Sequence, residues 1–384
     1  MTQRSAFTLT VLCLTVVLAG RAQQPIVAIR AGGMIDVERG RLIPKAVIVV
    51  ADGKIVAAGA ASDVTVPAGA STIDLPSTTL LPGLIDAHVH LTLAGRPAEN
   101  ARATLAAGFT TVQDLGAVTY ANISLRDAIN AGRVEGPRVI ASGPWLGISG
   151  GICDFNGIGV KGADAFRKRV RDDVEHGADL IKVCVSGWLA EAVANQAKYE
   201  ISDDELRAAI DEAHAHGKRV AVHAISEGGI GVAVRMGADL VVHGGFASPA
   251  TIATMKEKGV VELPTLFSFS TAPPEQLKAL QAHMRQAVAA GLPVAFGTDA
   301  GVIPHGSNAK EFDYLTSIGL DPAAAIRAAT ISAARAVGRP KDIGVLSAGR
   351  LADVIGVNGN PLEDLRTLQQ VSFVMKEGKI VKRY

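Results

Sequence analysis

Two histidines two residues apart, His88 and His90, stand inside the apolar run Leu80-Leu81-Pro82-Gly83-Leu84-Ile85-Asp86-Ala87-His88-Val89-His90-Leu91. Such a run predicts a buried strand, and alternation along a strand sends both imidazoles to one side. Two imidazoles aimed from one rigid strand are half of a metal site, because neutral imidazole suits zinc and similar divalent ions. The competing reading of the pair on its own is two core histidines satisfied by backbone carbonyls. Four further residues bear on that choice. Lys182 falls within Leu180-Ile181-Lys182-Val183-Cys184-Val185, His223 ends Val220-Ala221-Val222-His223, His243 ends Leu240-Val241-Val242-His243, and Asp299 ends Val294-Ala295-Phe296-Gly297-Thr298-Asp299. A single histidine at a strand end is ordinary, and Asp299 before Ala300-Gly301 could simply cap a helix. Lys182 is harder to dismiss. An ammonium inside an apolar strand suffers a large desolvation cost unless it is paired, neutralised or modified. A neutral lysine can take up carbon dioxide to form a carbamate, whose two oxygens can bridge two divalent metals.

The elements that must position these groups read as strand then helix, repeatedly. Strands are predicted at Leu84–Leu91, Thr110–Leu115, Arg138–Ser142, Leu180–Val185, Arg219–Ile225, Leu240–His243, Val260–Pro264 and Val294–Thr298. Amphipathic helices follow most of them, for example Asp203–His216, opened by the capping box Ser202/Glu205, and Pro274–Ala290. Eight such units predict an α/β fold, a closed (β/α)8 TIM barrel over residues 81–344. A doubly wound open sheet is the alternative, but it does not explain polar residues recurring at one end of so many strands. In a barrel those ends converge on one mouth. Short strands also lie at Val27–Ile29, Ala46–Val50 and Lys54–Ala57 and again at Asp353–Val357, Val371–Lys376 and Lys379–Lys382. Residues 23–80 and 345–384 are therefore expected to pair into a small composite β-sandwich domain.

Taken together, these motifs resemble the amidohydrolase superfamily, and the likeness runs over nearly the whole chain after its first residues. Besides the strand ends it rests on Gly297-Thr298-Asp299-Ala300-Gly301 and on the tail Gly344-Val345-Leu346-Ser347-Ala348-Gly349-Arg350-Leu351-Ala352-Asp353. Within the superfamily the chain looks most like the imidazolonepropionase-related group, which includes prolidase-like dipeptidases of Xaa-Pro and Xaa-Arg type. The resemblance implies two divalent ions, zinc being usual. His88, His90 and Asp299 would hold one ion and His223 and His243 the other, with Lys182, carboxylated by CO2, as the bridge. The mononuclear deaminase branch lacks that lysine.

The chemistry implied by the resemblance is hydrolysis of an amide, peptide-type bond by a metal-bridged hydroxide, with Asp299 as both ligand and proton shuttle. Dipeptides and N-acyl amino acids are the implied substrates. Lactones, cyclic amides and esters are the alternative, and a non-catalytic binding barrel is the remote one. Tyr199 resembles a family tyrosine that contacts a substrate carboxylate. His305 matches a recurrent histidine placed to position substrate or to orient a ligand. One departure stands out: many relatives carry a histidine after a glycine pair on the third loop, where this chain has Ile152. Trp145, Ile152, Cys153, Phe155, Trp188 and Leu189 would make an apolar mouth.

Composition narrows the partners. The chain has 384 residues, a net charge of +1 and no basic stripe, so nucleic acid is excluded as a partner. A small-molecule substrate is expected, with self-association into a homo-oligomer. Arg4 followed by the apolar stretch Ala6–Ala19 and the small pair Gly20 and Ala22 predicts a signal peptide over residues 1–22. An uncleaved anchor is the competing reading, though the run is shorter than the ~20 residues a bilayer needs. Export to a periplasmic or secreted location is then expected, with no stable membrane span after cleavage. There Cys153 and Cys184 have the option of a disulfide, which their separation does not decide.

Overall fold

A computed structural model describes residues 26–383, so the expected signal peptide at 1–22 lies outside the described residues. The first four strands are β1 (Val27–Asp36), β2 (Arg41–Ala51), β3 (Lys54–Ala60) and β4 (Ser71–Pro82). The strands around the site are β5 (Leu84–Val89), β6 (Phe109–Asp114), β7 (Arg138–Ala141), β8 (Ile181–Cys184), β9 (Val220–Ala224), β10 (Leu240–His243) and β11 (Val261–Leu263). The chain closes with β12 (Val354–Asn358), β13 (Val371–Lys376) and β14 (Lys379–Arg383).

Both chain ends build one sheet, in the order β14-β13-β12-β4-β1-β2-β3. Its ladders are continuous, so the hydrogen bonding gives one sheet and not the two separate sheets of the expected sandwich. Two hairpins have tight turns at Asp52-Gly53 and Glu377-Gly378, with φ of 49° and 75° in the first and 49° and 77° in the second. Positive φ at both central residues matches the right-handed twist of the flanking strands. β4 was not foreseen, because Pro76 and a run of threonines interrupt its apolar alternation. The β1–β4 register slips between Ala31 and Gly33. A Cβ on Gly32 there would lie 2.4 Å from the Pro76 carbonyl oxygen, so only glycine lets the two backbones pass.

The site strands run parallel in two groups, β5-β6-β7 and β8-β9-β10-β11. Helices connect them, including Ala163–Glu175, Asp203–Ala215, Glu227–Met236, Pro249–Lys258 and Pro274–Ala289. The Ser202/Glu205 capping box is present in full. Between β7 and β8, Leu146 bonds the strand through Leu146 N to Lys182 O and Cys184 N to Leu146 O. The expected eighth strand, Val294–Thr298, is not a regular ladder. Its segment still bonds to both neighbours: Ala295 N donates to Glu262 O on β11, while the Ala87 amide of β5 donates to Phe296 O. The ladder breaks because Phe296 N turns to Ala328 O, at the start of a π-helical turn, and the amides of Thr298 and Asp299 both reach His88 O. No helix among the described residues is long and apolar enough to cross a membrane.

One buried ion pair fastens the β7 strand to the seven-stranded sheet. Arg138 is 6% exposed. Its Nη1 donates to Asp353 Oδ2 and to Thr111 Oγ1, both at 2.7 Å, and Nη2 pairs with Glu377. Asp353 Oδ1 in turn accepts the Glu377 amide at 2.8 Å. Removing one partner of such a pair strands the other charge in a dry setting. Arg138→Ala is therefore expected to cost about 3–5 kcal/mol of stability, read from urea unfolding of the purified protein. A loss below about 1 kcal/mol would mean that water reaches Asp353 and that the pair does not join the two parts.

Candidate metal centre and active site

The six residues foreseen as ligands converge on one cavity of about 360 Å³. His88 and His90 leave the end of β5 with their Nε2 atoms 3.2 Å apart. Asp299 Oδ1 lies 3.4 Å from His88 Nε2 and 3.1 Å from His90 Nε2. A tetrahedral site with ligands ~2.1 Å from its centre has an edge of ~3.4 Å, so these three atoms stand where one small cation would hold them. The His243 and His223 rings follow, with centroids 5.2 Å from His88 to His243 and 4.5 Å from His243 to His223. His88, His243 and Asp299 also offer ligand atoms that all lie within 4.8 Å of one another. Lys182 enters from β8 and is 2% exposed.

Two buried atoms of this cluster, His88 Nδ1 and Lys182 Nζ, lack a hydrogen-bond partner, and Asp299 Oδ1 has only the two histidine nitrogens of the cluster beside it. Native interiors seldom leave such groups unsatisfied unless an ion or a reactive group completes them. Burial lowers Lys182 to about 7, against the opposing pull of Asp299, so a large fraction of its amine is neutral and nucleophilic near neutral pH. Burial, helped by Lys182, drives His223 down to about 3. His88 and His243 are likewise held well below the ordinary histidine value, by burial first. Neutral imidazole is the ligating form. Burial opposes charge on Asp299, but His88 and His90 beside it outweigh that and keep it a carboxylate. Two residues of the set, His243 (φ 76°) and Asp299 (φ 61°), sit in the left-handed region. Such conformations cost of order 1–3 kcal/mol each and persist where the surroundings over-determine them.

The proposed substrate contacts fare differently. Tyr199 does not line the cavity, and its hydroxyl donates to Asp203 Oδ1 at 2.9 Å. His305 also stands off the cavity. Its Nδ1 is 3.0 Å from Thr104 Oγ1 and its Nε2 3.3 Å from His90 O, so it braces the backbone of a ligand. Trp145, Cys153, Phe155 and Trp188 line the mouth, whereas Ile152 and Leu189 do not. Cys153 and Cys184 form a disulfide that ties the third loop to the end of β8.

Residues 79–381 match the amidohydrolase family. The chain belongs to that family. Ochratoxinase of Aspergillus niger is 29% identical over 95% of this chain and 88% of its own length. Its crystal structure superposes with a TM-score of 0.83 over 94% of this chain and 96% of that one, at 28% identity. A crystal structure of a Xaa-Pro dipeptidase with methionine bound in its active site is similar at a TM-score of 0.85 and 30% identity, over 92% of this chain and 99% of that one. Imidazolonepropionase of Symbiobacterium thermophilum is 28% identical over 82% of this chain and 84% of its own length. The protein is a hydrolase of carbon–nitrogen bonds, and its His/Asp cluster is suited to metal.

Around the candidate ligands this amidohydrolase carries a layer of buried polar residues, of which Asp86 and Thr298 stand in the sequence motifs without an expected role and the rest in none. Asp86 accepts the amides of His88 and Thr298 on Oδ1, and Thr298 Oγ1 at 2.6 Å and Asn308 Nδ2 at 2.8 Å on Oδ2. That joins the strand of His88 to the segment of Asp299. Asp114 accepts the Leu91 amide at 2.8 Å, while His90 Nδ1 lies 3.2 Å from Gly116 O. Thr265 Oγ1 is 2.6 Å from His243 Nδ1. Thr265 is itself left-handed (φ 50°), and the next two amides, Leu266 and Phe267, donate to the buried carboxylate of Glu311 at 2.9 and 2.6 Å. Such partners fix the tautomer and aim of a ligating imidazole. Thr265→Val keeps the shape but removes the hydrogen bond, and is expected to weaken metal affinity about 10–100-fold in a competition titration with a chelator. Unchanged affinity would show that ring packing alone aims His243.

Proposed function

We propose that this amidohydrolase cleaves an amide bond at a two-metal centre, with zinc the expected ion. His88, His90 and Asp299 would hold one ion and His223 and His243 the other, bridged by Lys182 as its carbamate. The observation that carries this reading is the trio of donor atoms 3.1–3.4 Å apart beside a buried, unpartnered lysine nitrogen. The fold that goes with it is a closed (β/α)8 barrel, supported by the bonds of residues 293–300 to both β11 and β5, with the sheet from both ends curled around its own apolar core. Export from the cytoplasm belongs to the same reading, because a disulfide between Cys153 and Cys184 suits an oxidising compartment.

When bound, the ions would supply hydroxide near neutral pH and polarise the scissile carbonyl. The rest falls to the chain. The neutral amine of Lys182 attacks CO2, forming the N–C bond as one C–O π bond opens and releasing one proton to solvent, which turns a buried neutral amine into an anion. Asp299 accepts the proton of the attacking water and hands it to the departing amine. The cavity walls keep bulk water from the reacting atoms and take the apolar part of the substrate. Dipeptides and N-acyl amino acids are the substrate class that the family resemblance implied.

Metal analysis of the purified enzyme is expected to give close to two equivalents, with activity that rises with bicarbonate; one equivalent and no bicarbonate effect would favour a mononuclear centre. Lys182→Ala is expected to lose activity about 100-fold or more and to recover part of it with added formate or acetate, small carboxylates that fit the vacated bridge. No recovery, with metal still bound, would remove the carbamate from the scheme. Asp299→Asn is expected to keep part of its metal while kcat falls about 10²–10⁴-fold, and near-normal turnover would end its role as proton shuttle.

A further inference from the structure

The walls of the cavity say more about the substrate than the metal ligands do. Every charged side chain that lines it belongs to the ligand set already named. The rest of the lining is Leu93, Val118, Trp145, Phe155, Trp188 and Val302, around one neutral amide, Asn156, and the Cys153–Cys184 disulfide. Among the described residues, no arginine, and no lysine besides Lys182, faces this space. Tyr199, the group expected to meet a substrate carboxylate, gives its hydroxyl to Asp203 instead. The amide of Ile152 is also engaged, donating to Glu200 Oε2 at 2.8 Å.

The apolar side chains are also unusually open. Val118, Phe155, Trp188 and Val302 are 36%, 37%, 52% and 61% exposed, and all four ring this one opening. Half of the eight large apolar side chains most exposed among the described residues therefore sit at a single mouth. Apolar surface gathered in a concave place marks where an apolar ligand loses its water. The wall is also firm. The Phe155 ring meets Trp145 edge-on at 5.0 Å, and Trp145 meets His90 at 5.4 Å. The disulfide pins the loop that carries Phe155 to the strand that carries Lys182.

We propose that this amidohydrolase is built for neutral, apolar amides, with an aromatic group against Phe155 and Trp188 and without a free carboxylate beside the scissile bond. The inference rests on the amide-hydrolase reading of the cavity and moves its substrate class away from free dipeptides and N-acyl amino acids, both of which carry a carboxylate, toward their neutral derivatives. In that reading the scissile carbonyl and the attacking water would take the metal centre held by the His/Asp cluster, and a substrate carboxylate would be left to face the wall. Carboxylates are captured by guanidinium forks or by clusters of backbone amides. An apolar wall strips their water and returns nothing.

A matched pair of ligands tests this: N-benzoyl-L-phenylalanine and N-benzoyl-L-phenylalanine amide, which share the same benzoyl amide bond and differ in one charge. The chain has two tryptophans, and both line the cavity, so tryptophan fluorescence of the zinc-loaded enzyme reads occupancy whether or not turnover follows. The neutral amide is expected to bind about tenfold or more tighter than the acid and to show the larger kcat/KM. Trp188→Ala is expected to weaken the neutral ligand about tenfold with metal content unchanged, Trp145 then serving as reporter. Equal or tighter binding of the acid, or no binding of either compound, overturns the proposal. Preferential binding of the neutral compound without hydrolysis of either one upholds the wall's selectivity and counts against amide hydrolysis instead.

Discussion

Everything at the centre of this molecule depends on burying a lysine among imidazoles. Lys182 is 2% exposed, its nitrogen has no hydrogen-bond partner, and His223 and His243 share its cavity. A cation there would meet a large desolvation cost, and the nearby carboxylate of Asp299 only partly offsets it. The amine is therefore driven toward its neutral form, and the same dryness holds His88, His223 and His243 below the ordinary histidine value, whereas Asp299 and Asp114 raise His90 against it. A protein that gathers four imidazoles and one carboxylate around an unpartnered amine has an interior suited to guests that carry positive charge. Metal ions and a carbamate satisfy all of these demands together, whereas any one of them alone leaves part of the cluster unexplained.

Such a cluster must be held rigidly, and the fold does this by placing each member on a strand end and then fixing the backbone just beyond it. Asp86 spans from the His88 amide to Thr298, so the first and last segments of the site cannot move independently. Glu311 clamps two consecutive amides and thereby presents Thr265 to His243. Gly244 follows His243 because a Cβ at that point would lie 1.8 Å from the carboxylate of Glu262. Glu262 is itself fully buried, and burial pushes its carboxyl well above the ordinary value. The left-handed backbones of His243 and Asp299 are the places where this support is under tension, and both carry ligands.

Strand positions and the six residues that meet in the cavity were legible in the sequence because apolar runs and polar strand ends are local signals. β10 and β13 match their expected ranges residue for residue, most of the other strands differ from theirs by one or two residues at an end, and β1, β2 and β3 run three or more residues longer than expected. β4 escaped because Pro76 breaks its pattern and its pairing with β1 is non-local. The eighth strand was legible as a segment but not as a ladder, since its amides are diverted to Ala328 and His88, which no local pattern records. The supporting residues were invisible for a related reason. Thr265, Asn308 and Glu311 are ordinary polar residues in loops and short helices, and only the fold brings them to the ligands. Tyr199 shows the converse: a residue type and position that suit a carboxylate contact, turned by a neighbouring Asp203 into a local hydrogen bond.

Centre and wall obey different constraints, which is why one identifies the reaction and the other the substrate. The ligands come from strand ends whose spacing the sheet dictates, so their identity reports bond chemistry and little else. The wall comes from loops, where Phe155, Trp188 and Val302 are free to be anything that the chain's solubility tolerates. Large apolar side chains left in water at a cavity mouth are a standing cost to the free protein, and a ligand that covers them recovers it. The disulfide adds a constraint of distance. By joining the third loop to the strand of Lys182 it keeps the aromatic wall at a fixed separation from the reacting centre, so the space between them selects for shape as well as for polarity. With the proposed ions in the centre, a substrate carboxylate that lies against the wall would meet dry rings and give up its solvation for little return, whereas a neutral group loses less there.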